Sequence, residues 1–561
     1  MNKRLIIAAV TTLILLSIVA VFFLFSEQKD SGSTVVSGNV YSSDKKTIAE
    51  GKNLFMQNCA ACHGINQDGI GPPLGGITKL LSKDELIHFI QNPAEVIKSG
   101  NLRANYFNNK YKSLMPPMDY LTSNQITNVL SYINQQTNDL NLQPILIDTT
   151  KHYSKDDRVI APIEHSGLVI ELEDYIRIPL QKDRTPKKGI ATLRAHPNAD
   201  KTLFVSDQMG VIYKVNNAVP KLYLNVRDRI KDFVFEPGIG TGLGSFALHP
   251  DFLNNGLIYT THAEKYAGKP AINEGVYLDA IGGGLQWVLT EWTLKDIKAN
   301  QFEGKKREVL RFTTPTTAHG AQDIGFAPVK DKTNPDYGML YMGIGDGGSI
   351  NLKMPELSHN IKSLLGTIIR IDPRGTNSKT GQYGIPKDNP FANVTDPEVK
   401  KEIYAYGFRN PHRMCWDMTY GKRMIVADVG ESNVEEINII EKGGDYGWST
   451  IEGIFGIDIM TDTKVVFEVD DDYLLPYHLP FGQIDHTDNR AISGGFVYKG
   501  PIKKLKGKYV FGDIVTGKLF YMNMDKDLTD SKIYDLTIIK NGQVTGVMVT
   551  IQSFWARKAF C

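Results

Sequence analysis

Cysteine is scarce in this 561-residue chain, with Cys59, Cys62, Cys415 and Cys561 making four in all. That is too few for a disulfide framework in a chain of this length. An excess of either charge is also missing: 63 Lys and Arg face 62 Asp and Glu, a net charge of +1 with His neutral. Such a balance excludes the basic footprint of a nucleic-acid binder, and there is no acidic tail. Long apolar runs are missing except at the N-terminus, where Leu5 to Phe25 is broken only by Thr11, Thr12 and Ser17. At about 1.5 Å per residue this run spans a bilayer. Lys3 and Arg4 before it keep the N-terminus cytoplasmic and send the rest across. A cleaved signal peptide is the rival reading, but the run ends Phe22-Phe23-Leu24-Phe25-Ser26, a poor cleavage site. Residues 1–25 therefore read as a transmembrane helix, a single-pass anchor.

What is present divides the rest of the chain. Residues 26–45 are rich in Ser, Gly and charge and read as a linker. Residues 46–137 read as a small all-α domain. Within it "SKDELIHFIQNP" places Leu86, Phe89 and Ile90 on one helical face. "LTSNQITNVLSYINQQ" does the same with Ile126, Val129, Leu130 and Ile133, behind Thr122 or Ser123 as N-cap. A polar connector covers 138–165. From 166 to 561 the text becomes short apolar strands punctuated by Gly, Asp and Asn. An apolar strand ending in Asp, a turn with Gly and a second strand recur around Asp207, Asp428 and Asp513. This imperfect repetition points to an all-β propeller of four-stranded blades, six to eight in number by length. After Asp535 the pattern fades, so the ring closes through residues 166–180 or the C-terminal blade is incomplete.

"QNCAACHGINQDGIGPPLGG" carries Cys-x-x-Cys-His at Cys59, Cys62 and His63, the signature of covalent c-type haem attachment with His as an iron ligand. Zinc would need a second ligand pair at similar spacing, and none exists. A redox dithiol would sit at a strand–helix junction of an α/β fold, which this segment is not. The sixth ligand should be a soft Met or a second His, and "LMPPMDY" offers Met115 and Met118. Residues 46–137 resemble class I c-type cytochromes over their whole length, through Gly71-Pro72-x-Leu74 after the attachment site and Met115-Pro116 before the last helix. The resemblance implies Met115 as axial ligand, with Met118 second, and the Pro72 carbonyl as the group orienting His63.

The β region holds four stretches with chemical side chains: "TTAHGAQDIGFAP" with His319, "MGIGDGGS" with Asp346, "YAYGFRNPHRMCWD" with Arg409 and Asn410, and "VADVGESNVEEINIIEKGGDYGW" with clustered acids. Each alone has a bland structural reading. "GIGDGG" lacks the Lys-Ser/Thr of a nucleotide loop. Their order is informative. With "GLGSFALHPDF", "LLGTIIRIDP", "YGIPKDNPF", "EEINIIEKGGDYGW" and "GGFVYKG…GKYVFGD", residues from about 185 to 525 resemble the PQQ-dependent sugar dehydrogenases of the glucose/sorbosone dehydrogenase family.

That resemblance implies a six-bladed propeller carrying pyrroloquinoline quinone (PQQ) and calcium. It implies His319 as catalytic base and Arg409 and Asn410 as quinone contacts. It implies the carbonyls of Gly430 and Glu431 as ligands of a calcium bridging to PQQ, and Glu436 with the Tyr446 carbonyl as a structural calcium site. The chain departs from the family twice: Gly240 stands where a glutamine reaches the pocket, and Val515 and Thr516 where basic residues pair with PQQ carboxylates. Arg490, Lys499 and Lys518 are the candidate substitutes. The larger tryptophan-rich propellers of quinoprotein alcohol dehydrogenases do not suit a chain with five Trp. The expectation is an enzyme oxidising an aldose to its lactone and passing electrons through haem c to a respiratory acceptor. It would be anchored to a bacterial cell membrane with its domains on the periplasmic side. The rival is a non-catalytic propeller binding module tethered to an electron-transfer cytochrome.

Overall fold

The computed structural model describes residues 40–544, apart from 147–159, 180–188, 270 and 272–283 and the short stretches at 61, 68–70, 100, 112–114, 199–200, 237–239, 461–462, 465, 468, 470 and 488. The N-terminal apolar run and Cys561 lie outside the described residues. Among those described, no helix is long and apolar enough to cross a membrane. The chain forms two compact units.

The first is helical: α1 (Lys45–Asn58), α2 (Ile77–Leu80), α3 (Lys83–Gln91), α4 (Pro93–Lys98), α5 (Leu102–Tyr111) and α6 (Ser123–Asp139). Ser82 and Glu85 close a capping box on α3, and Thr122 and Gln125 another on α6, so Thr122 is the N-cap. The predicted apolar face of α6, Ile126, Val129, Leu130 and Ile133, is buried. Tyr132 of α6 meets Phe55 of α1 at 5.4 Å between ring centroids. A Cβ on Gly51 would lie 1.9 Å from the Asn128 carbonyl, so α1 and α6 cross backbone to backbone only because residue 51 is glycine.

The second unit is built of antiparallel four-stranded meanders in chain order. A short strand, β1 (Val169–Glu171), precedes them. The first sheet is β2 (Ile190–Ala195), β3 (Leu203–Asp207), β4 (Val211–Asn216) and β5 (Val219–Asn225). The second is β6 (Leu243–Leu248), β7 (Leu257–Lys265), β8 (Leu285–Leu294) and β9 (Gly304–Thr314). The third is β10 (Asp323–Phe326), β11 (Leu340–Ile344), β12 (Thr367–Ile371) and β13 (Ile403–Tyr406). The fourth is β14 (Pro411–Asp417), β15 (Arg423–Asp428) and β16 (Val434–Ile440), then an insertion with a small sheet β17 (Ile451–Glu452), β18 (Phe455–Ile457) and β19 (Val466–Phe467), and finally β20 (Gly482–Asp485). The fifth is β21 (Ile492–Val497), β22 (Lys508–Asp513), β23 (Leu519–Asn523) and β24 (Ile533–Lys540). The first strand of each sheet packs against the first strand of the next. The cores between sheets are large aliphatic and aromatic clusters, such as Leu289, Phe312, Ile324, Met342 and Ile369.

Six blades were the expectation; four four-stranded sheets and a last one extended by β1 and a short strand at Gln543–Val544 occur among the described residues, with the small inserted sheet beside them, and no pairing there closes a ring. Long segments join strands within the third sheet, at 345–366 and 372–402. Of residues 166–180, those near Val169–Glu171 join the last sheet, since β1 adds to β24 in parallel with Val169 opposite Thr537.

The recurring Asp has a structural task. Asp207, Asp428 and Asp513 end the second strands of their sheets, opposite the first residues Ile190, Pro411 and Ile492. Each carboxylate accepts backbone N–H groups from the segment leading into its sheet. Asp207 takes Gly189 at 3.2 Å, Asp428 takes Arg409 and Asn410 at 3.0 and 2.6 Å, and Asp513 takes Arg490 and Ala491 at 2.5 and 3.0 Å. These lead-in segments carry the chemistry described next.

Candidate functional site

In the helical unit the chain turns just after α1, with the Cys62 N–H donating to the Cys59 carbonyl at 3.0 Å. Burial raises both thiols, Cys59 to about 12 with Cys62 adding to it. His63 Nδ1 lies 2.8 Å from the Pro72 carbonyl. As a donor there, Nδ1 fixes the ring and leaves Nε2 for a metal. Burial lowers the His63 pKa against the pull of that hydrogen bond, which favours the neutral imidazole that iron takes. A Cβ on Gly71 would stand 2.3 Å from His63 Cε1, so glycine is required for the ring to sit there. Met118 is buried, 7% exposed, and its N–H is spent on the Ile90 carbonyl, whereas Met115 is half-buried. Paired thiols, a neutral oriented imidazole and an available thioether suit a covalently held haem.

In the β unit His319 precedes β10 with a left-handed backbone, φ 48°. Its Nδ1 lies 2.6 Å from Asp346 Oδ1, and its side chain is one-fifth exposed while Asp346 is fully buried. Asp346 also accepts the Gly348 N–H at 2.8 Å and the Trp448 indole N–H at 3.2 Å, and its own N–H donates to the Arg409 carbonyl at 2.7 Å. Burial would raise this carboxyl, but the charges of His319 and Arg409 and the hydrogen bonds outweigh it and hold Asp346 below the ordinary range. An ionised Asp on Nδ1–H fixes the tautomer and leaves Nε2 as a proton acceptor. His412, two residues past Asn410, interacts with His319, and its Nδ1 lies 3.4 Å from Ser493 Oγ. Burial, reinforced by Arg413 and His319, keeps His412 neutral.

Arg409 is committed within the chain. Nε donates to Glu431 at 2.9 Å, Nη2 to the same carboxylate, and Nη1 to the Val429 carbonyl at 2.9 Å, with the guanidinium 5.8 Å above the Trp448 ring. Contact of this guanidinium with a quinone would compete with Glu431. Asn410 keeps a buried side-chain Oδ1 that has no partner among the described residues, an atom that a bound molecule would satisfy.

Neither the Gly430 nor the Glu431 carbonyl accepts a hydrogen bond among the described residues, so both are free to meet a cation. Oxygen donors are what calcium takes. No three His, Cys, Asp or Glu side chains converge as a metal group among the described residues. Glu436 and Tyr446 share no hydrogen bond. The Glu436 carboxylate accepts the Gly453 N–H at 2.7 Å and Asn438 Nδ2 at 3.0 Å, while the Tyr446 hydroxyl donates to the Ile439 carbonyl at 2.8 Å. Burial, with Glu452 and Glu435 adding and those hydrogen bonds opposing, raises Glu436 to about 7.

The two departures have definite places. A Cβ on Gly240 would lie 3.1 Å from the His319 nitrogen and 3.3 Å from Gln322 Nε2, so Gly240 does border the site and Gln322 is the glutamine beside it. Val515 and Thr516 give their N–H groups to Asp513, both at 2.7 Å. Among the candidate cations Arg490 is buried, Lys499 half-buried and Lys518 exposed. Sequence reading assigned no role to Asp346, Trp448, His412 or Glu452. The signal for Asp346 was its setting, Gly345, Gly347 and Gly348 around one acid, which marks close backbone approach.

Residues 48–137 match the cytochrome c family, and residues 192–542 match the glucose/sorbosone dehydrogenase family. HIPL1 protein of Arabidopsis thaliana is 28% identical over 365 residues, 57% of this chain and 50% of that protein. Quinoprotein glucose dehydrogenase B of Acinetobacter calcoaceticus is 26% identical over 229 residues, 38% of this chain and 40% of that protein. Hedgehog-interacting protein of Homo sapiens is 25% identical over 303 residues, 52% of this chain and 36% of that protein. The chain thus spans half or less of the length of these relatives. Since the second match runs over more than half of its residues, the protein belongs to the glucose/sorbosone dehydrogenase family, with a cytochrome c domain ahead of it.

Proposed function

We propose that this protein is a quinohaemoprotein that oxidises an aldose to its lactone and delivers the electrons through haem c to a respiratory acceptor. The observation that carries the reading is His319, held through Nδ1 by the buried Asp346 beside the Arg409–Glu431 loop, in a chain that also carries Cys59, Cys62 and His63. When bound, PQQ supplies a two-electron acceptor for hydride, and calcium a Lewis acid at its quinone oxygen. His319 Nε2 takes the proton of the sugar's anomeric hydroxyl. Asp346 stabilises the imidazolium that forms. Asn410 lines the site and completes its hydrogen bonding on a bound molecule. His63 and Met115 would hold the haem iron, a pairing that raises its potential and suits it to accept electrons. The tether gives the haem a high effective concentration.

The same reading extends to what frames the site. The β unit over 166–561 is a six-bladed propeller. Residues 46–137 are the cytochrome, 26–45 and 138–165 the linkers, and 1–25 a single-pass anchor placing both domains on the periplasmic side of a bacterial membrane.

The test is to reconstitute the full chain with PQQ and calcium, add a panel of aldoses and follow haem reduction by absorbance. Haem that stays oxidised with every sugar, while both cofactors are bound, sinks the reading. A second reading is a binding module without turnover; the Hedgehog-interacting relative and the internally engaged Arg409 favour it. Titration with PQQ separates the two, because a pure binding module takes up none.

A further inference from the structure

We propose that Glu452 is a positioning residue that aims the Gly430 and Glu431 carbonyls at the cation; the inference rests on the reading above that these two oxygens hold calcium. Glu452 lies on β17, 1% exposed, and is brought to the site by the hairpin with β18. Its Oε1 accepts four successive backbone N–H groups, from Glu431 at 2.8 Å, Ser432 at 3.1 Å, Asn433 at 3.0 Å and Val434 at 3.0 Å. Its Oε2 accepts Asn433 Nδ2 at 2.8 Å. One buried carboxylate thus gathers a whole loop, the kind of concave amide nest that binds anions.

The consequence follows from peptide geometry. In a planar trans peptide the carbonyl of one residue and the N–H of the next point in opposite directions. The Glu431 and Ser432 N–H groups point at Glu452, so the Gly430 and Glu431 carbonyls, which share those peptide planes, point away from it. The carbonyl just before them is not available, because Val429 O accepts Arg409 Nη1 at 2.9 Å. Two adjacent oxygens are therefore left side by side, unengaged and facing away from a buried negative charge. The loop closes this tightly only around glycine: a Cβ on Gly430 would lie 1.8 Å from the Val434 carbonyl and 2.9 Å from Glu452 Oε1. The Glu431 side chain is drawn off by Arg409, which leaves its backbone as the part that meets a ligand.

The test is calorimetric titration of calcium into the EDTA-stripped, full-length, haem-loaded protein, comparing wild type with Glu452→Gln. The melting temperature of the calcium-free forms is measured alongside. Glutamine keeps the shape but removes the charge that holds four N–H groups, and calcium affinity is expected to fall about 10–100-fold, as for other groups that orient metal ligands. Wild type that binds no calcium defeats the cation reading itself. Wild type that binds, with Glu452→Gln binding equally well, overturns the inference alone, and a lowered melting temperature with unchanged affinity does the same by making Glu452 a structural staple. Should Glu452→Gln not fold, Asn433→Ser keeps the four backbone N–H bonds and removes the Nδ2 bonds to Glu452 Oε2 and to the Thr463 carbonyl. It is expected to weaken calcium several-fold, and unchanged affinity there also overturns the proposal.

Discussion

Gly345→Ala puts the arrangement around His319 under the most direct strain. A Cβ at this position would stand 2.5 Å from the His319 carbonyl oxygen and 2.6 Å from His319 Cβ, where ordinary contact begins at 3.4 Å. The shortfall is about 0.9 Å, and the lining has little room to yield. Gly345 is tied on both sides, its N–H to the Gly320 carbonyl at 3.2 Å and its carbonyl to the Gly366 N–H at 3.0 Å. His319 already sits at φ 48°, a region with narrow limits for a residue bearing a side chain. The imidazole therefore moves by nearly 1 Å, which for a reacting group costs on the order of a hundredfold in rate. The overpacking itself costs about 1–3 kcal/mol of stability. The assay is sugar-dependent haem reduction after reconstitution, with chemical reduction of the haem as control. A folded Gly345→Ala protein that turns over within twofold of wild type refutes the placement of His319 as the reacting base.

His319→Ala abolishes sugar turnover with the haem spectrum intact, and Asp346→Asn, which keeps the shape but loses the charge on Nδ1–H, lowers kcat by about a hundredfold or more and shifts its pH profile; steady-state kinetics across pH checks both. Met115→Ala removes the sixth iron ligand and lowers the haem potential in a redox titration, whereas Met118→Ala leaves the potential in place and costs about 2–5 kcal/mol of helical-unit stability, read by denaturant melts. Glu436→Gln gains on wild type as pH rises. The folded carboxyl keeps its proton to about pH 7 while the unfolded one releases it near 4.5, so between these values the wild type loses stability with increasing pH. The gap between the two proteins widens from pH 4.5 to 7.5 in the calcium-free state, read by denaturant melts across pH. Comparing the pair isolates this group from buried histidines such as His486, at about 4, which run in the opposite sense.

The candidate haem-attachment stretch stands out in the sequence because its chemistry is local. Cys59, Cys62, His63, Gly71 and Pro72 lie within one short stretch, and the capped, periodic α6 announces itself. The dehydrogenase site was legible only through the order of its blocks, because its residues come from different sheets. His319 and Asp346 are 27 positions apart, and Glu431 and Glu452 are 21 apart, with a strand and turns between. Nothing in the spacing shows that Glu452 reaches back to the loop before β16; that depends on the β17–β18 hairpin. The repeated Asp was visible in sequence, but its partners were not, because they are backbone N–H groups and carry no residue identity.

Those Asp-to-backbone clasps divide labour along the chain. Each fixes the main chain at the threshold of a sheet through a partner from the same sheet, so the threshold holds its course whatever side chain it displays. Residues such as Asn410 and Ala491 can then be exchanged to reshape the rim without re-threading the strand beneath. A library that randomises these positions and spares Asp428 and Asp513 should keep most members folded, whereas one that reverses the choice should lose them. The scaffold in this sense lets its rim change one lead-in at a time.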